Sequence, residues 1–171
     1  MADFLTAVKY VIENESSEFV NDPDDLGHAT KFGITQETLA TFRQLPVSVE
    51  DVKGLTEDEA KRIYEAFYWQ PLGCYPLISQ AVATAMLDCA VLDGVVTCAK
   101  WAQRAAGVSA DGHIGPATQA ALNAVDFRRF LATFIPEVQN HYVDIAIANP
   151  VQIKFLKGWL ARSQRLITLF E

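Results

Sequence analysis

The segment from Ser79 to Leu92, SQAVATAMLDCAVL, would be apolar on nearly every side if it formed a helix. A helix at a protein surface keeps a polar face towards solvent, whereas a helix that is apolar all round has to be enclosed by other elements. The segment therefore predicts a buried central helix. At 171 residues, 50% of them hydrophobic, the chain is long enough to form one globular unit with a sizeable core around that helix.

Helical spacing of apolar residues recurs along most of the chain, whereas strand patterns are scarce. Helices are expected at about residues 3–16, 36–44, 48–54, 56–69, around Trp101 and Gln103, and at about 116–124, 126–147 and 151–169, with Pro136 kinking or splitting the penultimate one. From Ser17 to Ile34 the chain is rich in turn residues. The expected fold is a helical bundle around the buried helix, with at most a small β-ribbon near residues 18–34.

The charge of the chain excludes several classes of partner. A net charge of −7 argues against a nucleic-acid surface, which needs a basic patch, and against an anionic membrane surface. No apolar run reaches the roughly 18 residues that span a bilayer, and the first residues lack the features of a secretory signal. Three cysteines without a CxxC spacing are expected to be reduced, buried thiols.

The stretch ESSEFVNDPDDLGHAT, residues 15–30, places one carboxylate on the first helix and others in the following turn. Glu15 lies three residues after Ile12 and four after Val11, and so on the apolar stripe of that helix. Partial burial and the negative end of the helix dipole would both favour the protonated carboxyl group. Asp24 and Asp25 lie in a polar turn, where a carboxylate stays ionised. An acid kept protonated near an ionised carboxylate is the pair that glycoside hydrolysis needs.

The spacing of these residues resembles two known patterns. Glu15, Asp24 and Thr30 are spaced like the catalytic triad of tailed-phage lysozymes. The string FVNDPDDLGHATKFGIT resembles the signature of the family 108 glycoside hydrolases, which are N-acetylmuramidases of the lysozyme-like superfamily. The resemblance implies a mainly α, lysozyme-like α+β fold. In that fold Glu15 would be the general acid, Asp24 would position or activate water, and Thr30 would help to hold that water.

The chain departs from the family pattern at three places. Ser16 and Ser17 stand where the family usually has two glycines, and His28 replaces the second glycine of a later pair. The aspartate of the family motif aligns with Asp25, whereas the triad spacing selects Asp24. Asp24 is preferred as the second carboxylate, and Asp25 is the alternative.

The second half of the chain resembles a region that accompanies this family. The strings LDCAVLDGVVTCAKWAQRAAGVSADGHIGPAT and FLKGWLARSQRL are similar to its peptidoglycan-binding subdomain. The resemblance implies a lysozyme-like catalytic region over residues 1–85 and a peptidoglycan-binding-like helical region over residues 86–171, packed as one compact unit. Asp111-Gly112 and Gly115-Pro116 form a tight turn that feeds the next helix, either as a purely structural corner or as part of a glycan site.

Side chains near these motifs are candidates for substrate binding. His28 is expected to be a polar wall residue, Phe32 lies within the family motif, and the rings of Tyr68 and Trp69 could stack on a sugar, although aromatic residues at helical spacing are also common in cores. No metal site is expected, because no other histidine lies at metal-ligand spacing from His28 and the aspartates lack an EF-hand pattern. Hydrolysis needs no cofactor.

Together these features predict a muramidase that hydrolyses the β-1,4 bond between N-acetylmuramic acid and N-acetylglucosamine. Its partner would be the glycan strands of bacterial peptidoglycan, with no nucleic acid and no membrane insertion, and it would act as a monomer. The expected setting is a phage endolysin held in the host cytoplasm until a holin releases it, or a secreted antibacterial effector. The alternatives are a chitinase-type hydrolase and a non-catalytic wall-binding or secretion-regulating protein of the same fold.

Overall fold

The computed structural model describes residues 1–15, 17–21 and 29–169. Its helices in the described ranges are α1 (Phe4–Asn14), α2 (Gln36–Arg43), α3 (Val49–Lys53), α4 (Glu57–Tyr64), α5 (Gln80–Asp93), α6 (Val95–Ala105), α7 (Pro116–Ala124), α8 (Phe127–Ala148) and α9 (Ile153–Thr168). Its strands are β1 (Val20–Asn21), β2 (Ala29–Lys31) and β3 (Ile34–Thr35). A π-helical turn (Glu65–Trp69) follows α4, and a 3-10 turn (Pro150–Gln152) precedes α9. The mainly α fold expected from the sequence is therefore confirmed.

Helix α5 is the buried central helix that its sequence predicts. Every residue from Ala81 to Ala90 is buried, and the helix packs against α1, α6 and α8. Ser79 caps its first turn by accepting from the backbone N–H of Val82. Gly94, at φ +84°, ends it, because this backbone conformation is open mainly to glycine. The sequence predicted that the catalytic region ends at residue 85 and the peptidoglycan-binding-like region begins at residue 86. Both residues lie within α5, and the division into two regions stays a prediction.

The β-ribbon is a three-stranded antiparallel sheet in the order β1-β2-β3. Thr30 pairs with Val20 on one side and with Thr35 on the other. The turn between β2 and β3 consists of Phe32 and Gly33, which have φ values of +53° and +70°. Positive φ at both positions is what a two-residue type I′ hairpin turn requires. This turn projects towards the end of α1.

Helix α4 begins as the sequence predicts and ends differently. Thr56 caps it by accepting from the backbone N–H of Glu59, and three acidic residues fill its first turn. The sequence pattern predicted one regular helix to Trp69, but the last turn is π-helical. Such a turn holds one more residue than an α-helical turn and is frequent at functional sites. Trp69, at its end, lies in the core with its ring 5.5 Å from that of Phe4.

The later helices pack on the other side of α5. Helix α8 runs unbroken past Pro136, so Pro136 does not split it, and a kink at this residue stays a prediction. Pro136 lies on an exposed face, where water can solvate the carbonyl that proline leaves without a partner. All three cysteines are free and buried, as expected. Within the described ranges, no helix is both long and apolar enough to cross a membrane.

The corner at Asp111 and Gly112 has a structural role. The buried amide of Gln103 donates to Asp111 Oδ1 at 2.7 Å and to the His113 carbonyl at 3.0 Å, and it accepts from the Gly112 N–H at 2.8 Å. Pro116 then starts α7 at the position that its missing N–H suits. Of the two interpretations of this motif, the structure favours the structural corner.

Candidate active site

Glu15 lies at the junction of α1, the β2–β3 turn and α9. It is the C-terminal capping residue of α1, and its backbone N–H donates to the Val11 carbonyl at 3.0 Å. Its side chain keeps 18% of its surface exposed. The side chain is thus mostly buried, as predicted, although α1 ends at Asn14 and Glu15 follows it with an extended backbone rather than lying on the helix.

The Glu15 carboxylate is paired with an arginine from the far end of the chain. Arg162 Nη1 on α9 lies 2.6 Å from Glu15 Oε1, across 147 residues of sequence. The same guanidinium donates to Asp88 Oδ1 on α5, through Nε at 3.0 Å and Nη2 at 2.8 Å. One buried cation therefore bridges two carboxylates.

The charges of this cluster depend on one another. Burial raises the pKa of Asp88, the Arg162 guanidinium opposes that rise, and the charge of Glu15 adds to it. Burial alone would lower the pKa of Arg162, but the facing carboxylates raise it above its ordinary value. Arg162 is consequently a permanent cation. It lies 2.6 Å from the Glu15 carboxylate, a contact that reasoning from α1 alone did not include.

Gly33 lets the hairpin turn approach the second oxygen of Glu15. A Cβ atom built on Gly33 would lie 2.9 Å from Glu15 Oε2 and 2.9 Å from the Tyr64 hydroxyl oxygen. The Tyr64 hydroxyl donates to the Phe32 carbonyl at 2.7 Å and so fixes the turn. Burial, with a smaller contribution from the charge of Glu15, raises the pKa of Tyr64 far above its usual range, which keeps this hydroxyl protonated.

The aromatic candidates fall into two groups. Tyr68 is half-buried and lies close enough to Glu15 that its pKa is raised, first by burial and then by that negative charge. Trp69 is fully buried between Phe4 and Tyr75, so it is a core residue and presents no ring face to a glycan. Phe32 is 8% exposed and contributes its carbonyl group to the site rather than an open ring.

Of the remaining sequence candidates, the structure describes Thr30. Thr30 is half-buried in the middle of β2, two residues before the turn that reaches Glu15. Asp24, its alternative Asp25, and His28 lie outside the described residues. Over residues 1–15, 17–21 and 29–169, no cluster of three or more histidine, cysteine or acidic side chains could hold a metal ion.

Sequence reasoning missed the residues that support Glu15. Asp88 carried a usable signal, because a carboxylate inside a helix that is apolar all round requires a buried partner. Gly33 is the glycine of the GIT segment that ends the string FVNDPDDLGHATKFGIT. A glycine there can signal a turn or a close approach of the backbone to another group. The pairing of Arg162 with Glu15 carried no local signal, because it depends on how α9 packs.

Similarities to known proteins cover both halves of the chain. Residues 8–94 match the family model described as "Glycosyl hydrolase 108", and residues 97–164 match the one described as "Predicted Peptidoglycan domain". The solved structure titled "Structure of Brucella abortus SagA" is similar, with a TM-score of 0.82 and 31% sequence identity over 96% of this chain and 91% of that one. No curated protein matches the sequence.

These matches agree with the geometry of the site. The first model spans Glu15, the hairpin turn and Asp88, while the second includes Arg162, so the cluster joins the two matched regions. A helical fold with one small sheet, similar over nearly its whole length to a solved structure, agrees with the lysozyme-like fold that the resemblance implies. The two models support a glycoside hydrolase that acts on peptidoglycan. The protein belongs to the glycosyl hydrolase 108 family and carries a peptidoglycan-binding-like region after its hydrolase region.

Proposed function

We propose that this protein is an N-acetylmuramidase, which hydrolyses the β-1,4 bond between N-acetylmuramic acid and N-acetylglucosamine in peptidoglycan. In this proposal Glu15 is the general acid, Asp24 positions or activates water, with Asp25 as its alternative, and Thr30 helps to hold that water. Tyr68 and His28 line the glycan groove. The reaction needs no cofactor.

The environment of Glu15 is the observation that carries the proposal. Its side chain is mostly buried but 18% exposed, and its Oε2 lies beside the exposed Gly33 of the β2–β3 turn. A general acid needs this combination, because burial limits competition from water while the exposed part admits the glycosidic oxygen. Thr30 stands on the strand that leads into the same turn, which supports its proposed role in holding a water.

The proposed reaction proceeds by transfer of a proton from Glu15 to the leaving glycosidic oxygen as the bond to the sugar breaks. Positive charge then develops at the anomeric carbon, and the second carboxylate stabilises that charge or activates the water that attacks it. The half-buried Tyr68, next to Glu15, offers an aromatic face for a sugar ring.

The test compares the parent protein with Glu15→Gln and Glu13→Gln on purified Gram-negative sacculi, with mass spectrometry of the released fragments. Glu13 is the matched control, since it lies on the exposed face of the same helix and pairs only loosely with Lys9, at 3.8 Å. We expect fragments with reducing muramic-acid ends from the parent and from Glu13→Gln, and none from Glu15→Gln. Equal release by parent and Glu15→Gln would remove Glu15 from the mechanism.

A second pair of variants identifies the other carboxylate. Asp24→Asn is expected to abolish turnover, while Asp25→Asn should retain most of it, because the triad spacing selects Asp24. The reverse result would transfer the role to Asp25.

The same assays separate the alternative functions. Activity on chitin oligomers with none on sacculi would indicate a chitinase-type hydrolase. A non-catalytic wall-binding or secretion-regulating protein would bind sacculi without releasing fragments, and Glu15→Gln would behave like the parent. Ser16 and Ser17 replace two family glycines and are the feature that favours this class.

We propose host lysis by a phage endolysin as the biological setting, with a secreted antibacterial effector as the second possibility. Expression in the cytoplasm of a Gram-negative host should be tolerated until a holin is co-expressed, and lysis should then follow. Lysis without a holin would point to another export route.

A further inference from the structure

The cluster around Glu15 is asymmetric in its hydrogen bonds. Arg162 directs two donors, Nε and Nη2, to Asp88 Oδ1, and it directs only Nη1 to Glu15 Oε1. Asp88, with a side chain 3% exposed, therefore anchors the guanidinium through two hydrogen bonds, and Glu15 accepts the third. The Arg162 side chain is itself only 10% exposed, so water screens these interactions weakly.

This asymmetry gives the two oxygens of Glu15 different chemistry. Oε1 faces a guanidinium N–H, which can only donate, so a proton on Oε1 would point a donor at a donor. Oε2 faces the β2–β3 turn, where Gly33 leaves room. When Glu15 is protonated, the proton therefore belongs on Oε2, and the Arg162–Asp88 pair stays intact.

We propose that Arg162, anchored by Asp88, is a positioning residue for the general acid: it holds Oε1 of Glu15 and leaves Oε2 to carry the proton that is transferred. This inference rests on the proposed function of Glu15. It also gives the peptidoglycan-binding-like region a part in the reaction, because α9, which closes that region, supplies the guanidinium. The hydrolase region would lack this group by itself.

Other titratable groups also lie near this cluster. Tyr64 and Tyr68 approach from α4 and the π turn, and their raised pKa values keep them protonated. Arg165, also on α9, donates to the Asn14 side chain at 2.5 Å and adds a weaker positive charge near Asp88. Arg162 is the cation that donates a hydrogen bond to the Glu15 carboxylate.

The two supporting side chains act on the position of Glu15 at different removes. Arg162 contacts Glu15 directly, whereas Asp88 contacts only Arg162. Replacing Asp88 with Asn keeps an oxygen that Arg162 can donate to, so the guanidinium can stay in place. Replacing Arg162 with Gln removes the group that holds Glu15 Oε1. The two variants should therefore lower turnover to different extents.

The experiment measures kcat and KM separately on solubilised peptidoglycan with the full-length protein. Because Asp88→Asn still offers Arg162 an oxygen, we expect kcat to fall only a few-fold, whereas Arg162→Gln frees Glu15 Oε1 and should lower kcat on the order of 100-fold with little change in KM. Arg104→Gln is the control, because it breaks an ion pair of similar geometry, with Glu137, that does not involve Glu15.

Further variants protect the test against misfolding. Arg162→Gln leaves Asp88 buried without its partner and can fail to fold. Asp88→Asn creates no unpaired buried charge, and Arg162→Lys keeps the positive charge without the forked geometry, so it should restore only part of the turnover. A folded Arg162→Lys or Arg162→Gln variant with the parental kcat, or one whose loss lies in KM rather than in kcat, would overturn the proposal. A parent that releases no fragments would overturn the proposed function itself, and with it the role of Arg162.

Discussion

Replacing Gly33 with alanine tests the close approach between the hairpin turn and the Glu15 carboxylate. The new Cβ would lie 2.9 Å from Glu15 Oε2 and 2.9 Å from the Tyr64 hydroxyl oxygen, distances that require one or both groups to move. The backbone at Gly33 also has φ +70°, a conformation that costs a non-glycine residue about 1–2 kcal/mol. Strain and contact therefore act together at this position.

The expected loss of stability follows from these terms. Displacing Tyr64 weakens its hydrogen bond to the Phe32 carbonyl, which contributes about 1 kcal/mol, and with the backbone strain the total is about 2–3 kcal/mol. For a chain of this size that lowers the melting temperature by roughly 5–10 °C. Because Oε2 is the oxygen expected to donate the proton, turnover on peptidoglycan should fall on the order of 100-fold.

The assay combines thermal unfolding with turnover measured well below the lowered melting temperature. Gly158→Ala is the matched control, because Gly158 lies exposed within α9 with open space around its Cβ position. That variant should become more stable by about 0.5–1 kcal/mol and keep full activity. If Gly33→Ala melted like the parent and hydrolysed peptidoglycan at the parental rate, the contact between the turn and Glu15 would be refuted.

Three further perturbations have defined outcomes. Tyr64→Phe leaves the Phe32 carbonyl without its donor and should cost about 1 kcal/mol in urea unfolding, with a smaller loss of turnover than Gly33→Ala. Gln103→Leu removes the buried amide that holds the corner before α7, so urea unfolding should show a loss of about 3 kcal/mol, whereas a loss below about 1 kcal/mol would contradict that role. Arg43 holds the pKa of Glu59 below its usual range, so the stability from this pair is present at neutral pH and is lost as the pH falls through that lowered value. Glu59→Gln should thus be about 1–2 kcal/mol less stable than the parent at pH 7, and the difference should vanish in strong acid.

The local features of the fold were predictable from the sequence because local physics decides them. The apolar composition of α5 requires burial, Ser79 and Thr56 accept from the backbone at the starts of their helices, and Pro116 opens α7. The partial burial of Glu15 was predicted from the helical repeat, but α1 ends at Asn14 and Glu15 follows it with an extended backbone, so the repeat does not fix the direction of its side chain. The π turn before Trp69 was not predictable, because no local preference distinguishes it from a regular helix.

Contacts between distant segments were decided only by the tertiary structure. A pairing across 147 residues leaves no spacing signal, so the sequence did not indicate that Arg162 holds Glu15. Likewise, Gly33 was visible as a glycine in a motif, but its proximity to Glu15 Oε2 depends on how the sheet packs against α1. The sequence by itself determined which residues had to be buried, capped or turned, and the packing of α1, α5, α9 and the hairpin decided which of them meet at the carboxylate, because packing forces act between surfaces whatever their separation in the chain.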